Sequence, residues 1–288
     1  MPFTIWQTGF TILELGSSQL AFLKIDVGDC MPVAASLRRL TSLHLDKRRS
    51  DMLLTFPMLV DILTAPYCLL YLSFKGNISP NTLPLQTAAL DPDFQLHHLK
   101  ALKISTRGLV AAKLLLFLSA PKLESLWLET NDGFRFFSIF CESSQVSSGC
   151  PKFPQLQYLI LGGYNLPSIF STFPSITHLR LIHIGTLALG NLETTLAGQW
   201  ASLHTLVFSL FGLEESSKQT GDIVASWLRS RVSHGRPIHN FLVNHHVFGI
   251  IGTKFWTDIP VETKVQRVSA ENYMEPWWNQ EDWPDWIR

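Results

Sequence analysis

The residues of this chain best suited by type to recognition chemistry are Tyr71, Lys103, Trp127, Tyr158, His178 and Arg180. Lys103, Trp127 and Arg180 each lie between two aliphatic residues, and Tyr71, Tyr158 and His178 each stand directly before a leucine. Aromatic rings with a guanidinium among them are the composition of interface hot spots, because they bury a large area and still offer a polar handle. Side chains for bond-making chemistry form no comparable set. The sequence has no G-x-x-x-x-G-K-[ST] phosphate loop, no H-E-x-x-H zinc motif and no G-x-S-x-G nucleophile elbow. His97-His98 and His245-His246 are adjacent pairs, whose side chains diverge on a strand and chelate a metal poorly. Cys30, Cys68, Cys141 and Cys150 lack C-x-x-C spacing and read as ordinary thiols. The expectation is a non-enzymatic protein with no cofactor and no metal, whose partner is another protein.

The elements that must position these side chains are announced by a recurring L-x-x-L-x-L pattern. Its nine apolar triplets are Leu20/Leu23/Ile25, Leu40/Leu43/Leu45, Leu69/Leu72/Phe74, Leu99/Leu102/Ile104, Leu123/Leu126/Leu128, Leu156/Leu159/Leu161, Ile176/Leu179/Leu181, Leu203/Leu206/Phe208 and Ile238/Phe241/Val243. Most follow one another at the spacing of a leucine-rich repeat, about 20–29 residues. Longer intervals, as from Leu123 to Leu156, imply irregular units with insertions. Between triplets lie stretches suited to short helices: Phe56 to Thr64, Leu109 to Ser119, Leu166 to Thr172 and Asp222 to Ser233. In Ala65-Pro66 and Ala120-Pro121 a proline closes the helix, since it lacks the next amide donor and disfavours helix in the residue before it.

A unit of one strand and one helix cannot bury its own leucines, so such units must stack. The predicted fold is therefore α/β, a leucine-rich-repeat solenoid with a curved parallel sheet on the concave face, helices on the convex face, and irregular repeats. Strand side chains alternate between faces. With the leucines turned inward, the third, fifth and seventh positions of each unit face outward on the concave sheet, and the six residues named first all fall on the third or fifth. Trp127 is then a surface ring and not part of the core. The competing expectation is that an insertion such as Phe134 to Pro151 folds over the sheet and makes these rings ordinary core.

The form apolar-Pro-x-Leu-x-x-Leu-x-Leu appears in Ala120-Pro121-Lys122-Leu123-Glu124-Ser125-Leu126-Trp127-Leu128 and again in Phe153-Pro154-Gln155-Leu156-Gln157-Tyr158-Leu159-Ile160-Leu161. It resembles the leucine-rich repeats of fungal, basidiomycete-type F-box proteins. So does Trp227-Leu228-Arg229-Ser230-Arg231 followed by Gly235-Arg236-Pro237-Ile238, and the likeness spans roughly Leu20 to Val243. The resemblance implies the substrate-recognition part of a cullin-based ubiquitin ligase. No F-box motif precedes the repeats, because residues 1–36 already hold the first triplet. A ligase adaptor is therefore an expected partner only if an F-box exists outside this chain.

Composition narrows the alternatives. The 288 residues are 46% hydrophobic and only 16% charged, ample for a core, and 23 basic residues balance 23 acidic ones. Nothing in that balance favours nucleic acid or a membrane surface. The most apolar run, Leu109 to Leu118, contains Lys113 and is far shorter than the ~20 residues that span a bilayer, so it should be a buried helix. The stretch MPFTIWQTGFTILELG does not read as a secretory signal, which makes an intracellular location, cytoplasmic or nuclear, the default expectation. The repeats should occupy residues 1–244. Residues 245–288 are expected to be a capping segment with an acidic tail rich in tryptophan (Trp277, Trp278, Trp283, Trp286), serving as a cap or as a docking peptide.

Overall fold

The computed structural model describes residues 21–26, 37–46, 54–76, 78–79, 82, 94–130, 152–162, 173–182, 200–209, 217–244 and 253–268. Its strands are β1 (Phe22–Asp26), β2 (Ser42–Asp46), β3 (Tyr71–Lys75), β4 (Phe94–Gln95), β5 (Ala101–Thr106), β6 (Leu118–Ser119), β7 (Ser125–Thr130), β8 (Tyr158–Gly162), β9 (His178–Ile182), β10 (Thr205–Ser209), β11 (Asn240–Asn244) and β12 (Lys264–Val268). The helices are α1 (Phe56–Thr64), α2 (Gly108–Phe117), α3 (Ser217–Ser233) and α4 (Thr253–Asp258). Ten strands form one open sheet in the order β1-β2-β3-β5-β7-β8-β9-β10-β11-β12, and every pairing within it is parallel. Each strand thus lies beside the next in sequence, apart from the two-residue β4 and β6, which pair with each other.

Register in this sheet is set by two recurring devices. In most units the residue before a strand offers its carbonyl to two consecutive amides at the start of the next. Thr41 accepts from Leu70 and Tyr71, Lys100 from Glu124 and Ser125, Gln157 from Thr177 and His178, and His204 from His239 and Asn240. Ahead of the strand a tight turn recurs, in which the amides of Leu40, Leu99, Leu123, Leu156 and Leu203 donate to the carbonyls of Leu37, Leu96, Ala120, Phe153 and Trp200. The first residue of each of these turns is buried. Pro121 and Pro154 occupy the second turn position, where the fixed φ of proline suits the geometry. Trp200 opens its turn with φ at 50°, unusual for a residue with a Cβ, and its indole N–H donates to the Phe173 carbonyl at 2.6 Å.

The leucine positions form one continuous core with the helices. Leu43, Leu72, Leu102, Leu126, Leu159, Leu179, Leu206 and Phe241 all belong to it, together with Leu59 and Ile62 of α1, Val110 and Leu115 of α2, and Val224 and Leu228 of α3. Phe56 and Phe117 meet edge to face at 5.4 Å, which joins α1 to α2. As expected, α2 is buried almost all round, Lys113 included. It stops at Phe117, before Leu118 and Ser119 leave the helix to form β6, so a short strand separates it from Pro121.

Helix α3 starts at Ser217, five residues earlier than the sequence pattern predicts, and ends on a glycine device. Gly235 has φ of 70°, its amide donates to the Val232 carbonyl, and the Arg236 amide reaches back to the Arg231 carbonyl. This pair of bonds satisfies carbonyls that a helix end would otherwise leave open. Just before it, Arg231 is fully buried, donating from Nε to the Arg236 carbonyl at 3.0 Å and from one terminal nitrogen to the carbonyls of Trp200 at 3.0 Å and Leu203 at 3.3 Å. Burial, with Arg236 nearby, pushes its pKa down to about 10, so it remains charged at neutral pH. Arg231, in the last turn of α3, is thus a clamp between that helix and the turn that opens β10.

The sheet runs one strand further than the nine triplets. β12 pairs with β11 and lies in the segment expected to cap the repeats. Helix α4 leads into it, with Phe255 6.0 Å from Phe241 and Asp258 3.7 Å from Arg229 of α3. The helix expected over Leu166 to Thr172, the insertion Phe134 to Pro151 and the tryptophan-rich tail lie outside the described residues.

Candidate functional site on the second sheet face

The face of the sheet turned away from the leucines is a grid whose rows follow from the register. The middle row reads Lys24, His44, Ser73, Lys103, Trp127, Ile160, Arg180, Val207, Leu242 and Gln266 from β1 to β12. One flanking row carries Tyr71, Ala101, Ser125, Tyr158 and His178, and the other carries Asp46, Lys75, Ser105, Glu129 and Gly162. Buried apolar residues of this face, among them Ala101, Ile160, Val207 and Leu242, stand outside the leucine core.

All six residues singled out in the sequence have their places on this grid. Lys103 sets its ammonium over the Trp127 ring, 3.4 Å from the centroid, close enough for cation–π attraction. Tyr158 and His178 stack at 4.5 Å with the rings tilted by 35°. Arg180 sits one strand beyond Ile160, which separates it from Trp127. Tyr71 stands apart, on β3, two strands from Trp127. Two contacting pairs stand on this grid, Lys103 with Trp127 and Tyr158 with His178, with Tyr71 and Arg180 at their own positions in its rows.

Exposure on this face is uneven. Trp127, Lys103, Tyr158, His178, Arg180 and Tyr71 are half-buried. Ser73, Ser125 and Ile160 between them are almost wholly covered, at 2%, 1% and 1% exposure. Short residues next to long ones are shielded at a strand spacing of ~4.8 Å. Ile160 has Trp127 and Arg180 as its in-register neighbours, and Ser73 has His44 and Lys103. Gly162 also answers to a neighbour: a Cβ there would come within 3.3 Å of the Glu129 Cγ, so the glycine leaves room for that carboxylate side chain.

Burial dominates the electrostatics. It pushes the Lys103 pKa down to about 8; Lys75 and Arg180 act in the same sense, and Glu129 opposes them. His44 is held at about 4 by burial and then by Lys24, Lys103 and Lys75, against Asp46. His178 is also held at about 4, by burial and by His204. The face therefore carries ammonium and guanidinium charge at neutral pH, but neutral imidazoles.

His204 is the residue that sequence reasoning missed. It lies just before β10, with its ring edge to face with His178 at 4.6 Å and its Nδ1 3.0 Å from the Thr205 hydroxyl. Strand alternation assigns only the third, fifth and seventh positions of each unit outward, and His204 occupies the second. Reading the second position along the chain finds His204 and His239 in successive units, and burial with the nearby His239 lowers the pKa of His204.

Among the described residues, no group of three or more histidine, cysteine, aspartate or glutamate side chains is arranged to hold a metal ion. His97 and His98 are exposed in the turn before β5 and not on a strand. His245-His246, Cys30, Cys141 and Cys150 lie outside the described residues, while Cys68 is a free thiol facing the carbonyls of Leu40 and Arg38. No described helix is long and apolar enough to cross a membrane. No family model matches the chain, and no curated protein matches its sequence.

Proposed function

We propose that this chain is a non-enzymatic protein-interaction module, a leucine-rich-repeat solenoid that presents the second sheet face to a partner protein. The observation that carries the reading is the Lys103–Trp127 pair, a half-buried indole under an ammonium on the face away from the core. Binding surfaces use that arrangement because the ring and the aliphatic stems give contact area while the charges set orientation. The in-register grid favours the same reading: ten parallel strands hold the side chains at fixed intervals, so a partner meets a rigid pattern at little ordering cost.

The resemblance to the repeats of fungal F-box proteins extends the proposal. The bound protein would be a substrate delivered to a cullin-based ubiquitin ligase, with the adaptor docking through an F-box outside this sequence. A stand-alone scaffold without ligase connection is the second reading. Capture of the purified adaptor by the protein isolated from its native source separates the two: recovery of the adaptor supports the ligase reading, and its failure to bind supports the scaffold.

A further inference from the structure

Helices α1 and α2 open differently. A helix leaves the amides of its first turn without acceptors of its own, so other groups must take them up. In α1 side chains do so: the Thr55 hydroxyl accepts from the Met58 amide at 3.4 Å, and the Thr82 hydroxyl from the Phe56 amide at 2.9 Å. α2 has no such cap. Its N-cap residue is Arg107, whose side chain makes no capping bond, and its first turn holds no acidic residue. The Ala111 amide donates to the Arg107 carbonyl at 3.0 Å, but among the described residues the amides of Gly108, Leu109 and Val110 have no acceptor, and Gly108 and Val110 are buried.

Two side chains meet this end of the helix. Thr106 closes β5 on the leucine side of the sheet, in alternation with Leu102 and Ile104, so its side chain is turned toward the layer of α2, which begins two residues later. It is 7% exposed, and its Oγ has no hydrogen-bond partner. A buried hydroxyl left unpaired costs stability, which a ligand oxygen would restore. Arg107 is exposed and forms no ion pair with a described residue. Its guanidinium stands at the positive end of the helix dipole, where anions are favoured.

Every group gathered here can donate: backbone amides, a hydroxyl and a guanidinium. We propose that the N-terminus of α2 binds a phosphate group, with the amides of Gly108, Leu109 and Val110 on its oxygens, the Thr106 hydroxyl donating from beneath and Arg107 from the solvent side. Tetrahedral oxygens meet donors arriving from several directions, whereas a planar carboxylate meets only part of such a set. A strand, a short connection and a helix N-terminus also follow one another where backbone amides cradle phosphate in α/β proteins. The site lies on the opposite side of the sheet from Lys103 and stands independently of the reading of the second sheet face.

The test uses the full chain with inorganic phosphate, N-acetyl-O-phosphoserine amide as the probe for a phosphorylated side chain, and acetate as the planar anion. In ¹⁵N-labelled protein, phosphate should shift the Gly108, Leu109 and Val110 amide resonances saturably and bind at least ~10-fold more tightly than acetate, the size of one charge-assisted contact. Thr106→Val and Arg107→Gln should each weaken phosphate binding by about the same factor. Arg38→Gln, which alters an exposed arginine at the opposite end of the strands, should leave it unchanged. Thr106→Val should not lower the melting temperature without phosphate, since the hydroxyl has no partner to lose. Tighter binding of the phosphoserine probe than of inorganic phosphate assigns the site to a phosphorylated side chain, and the reverse assigns it to the free ion; either result supports it. Unmoved amide resonances overturn the proposal, as do equal affinities for acetate and phosphate, or for the native chain and both variants. The amide shifts are read on the native chain and decide alone if a variant fails to fold.

Discussion

At the scale of single residues, the face is controlled by groups whose charge depends on burial. His178 and His44 have folded-state pKa values of about 4, against an ordinary value near 6.5. As pH falls below ~6.5 the unfolded chain takes up protons that the folded chain refuses, and stability falls until about pH 4. Thermal melts across that range should show the loss, and His178→Gln should reduce it without altering the melting temperature at pH 8. Lys103 has the same sign at higher pH: its pKa is held at about 8 against an ordinary ~10.4, so stability should rise as pH increases from 8 to 10. Lys103→Met should flatten that rise. Trp127, Lys103, Tyr158, His178 and Arg180 were legible as outward residues because period-two alternation fixes direction wherever a leucine register exists. Which of them touch was not legible, since contact depends on neighbouring strands. Lys103 meets Trp127 because β5 pairs with β7 in register, and Ile160 takes the place between Trp127 and Arg180 in the same row.

At the scale of elements, nine strands could be read from the triplets, and α1 matches its expected span of Phe56 to Thr64. β12 could not. In its register Phe241 pairs with Val265, but Arg267 takes the place corresponding to Val243, so the apolar signature is broken. Among the described residues β12 has a neighbour on one side only, and a polar residue at a sheet edge costs less than in the middle. The role of Arg231 was equally invisible, because an arginine in the last turn of a helix looks the same in sequence whether it is solvated or buried. Its three carbonyl partners make a specific claim. Arg231→Met keeps the volume but leaves buried carbonyls without their donor, and urea unfolding should record a loss of about 3 kcal/mol. Arg229→Met, on the same helix with its charge half-exposed, should cost less than ~1 kcal/mol.

At the scale of the whole molecule, each strand of the main sheet pairs only with its sequence neighbours, so stability is built from successive interfaces. Hydrogen exchange should be slowest in β5, β7, β8 and β9, which have partners on both sides, and faster in the edge strands β1 and β12. The same architecture makes the second face a rigid platform, proposed to bind a protein through Trp127. The direct measurement pairs affinity capture with calorimetry on the native chain and Trp127→Ala. Proteins captured by the native chain should be lost with the variant, while its unfolding free energy should stay within about 1 kcal/mol of the native value. An unchanged set of captured proteins, or a variant destabilised by the ~3–5 kcal/mol of a buried-aromatic deletion, would contradict it.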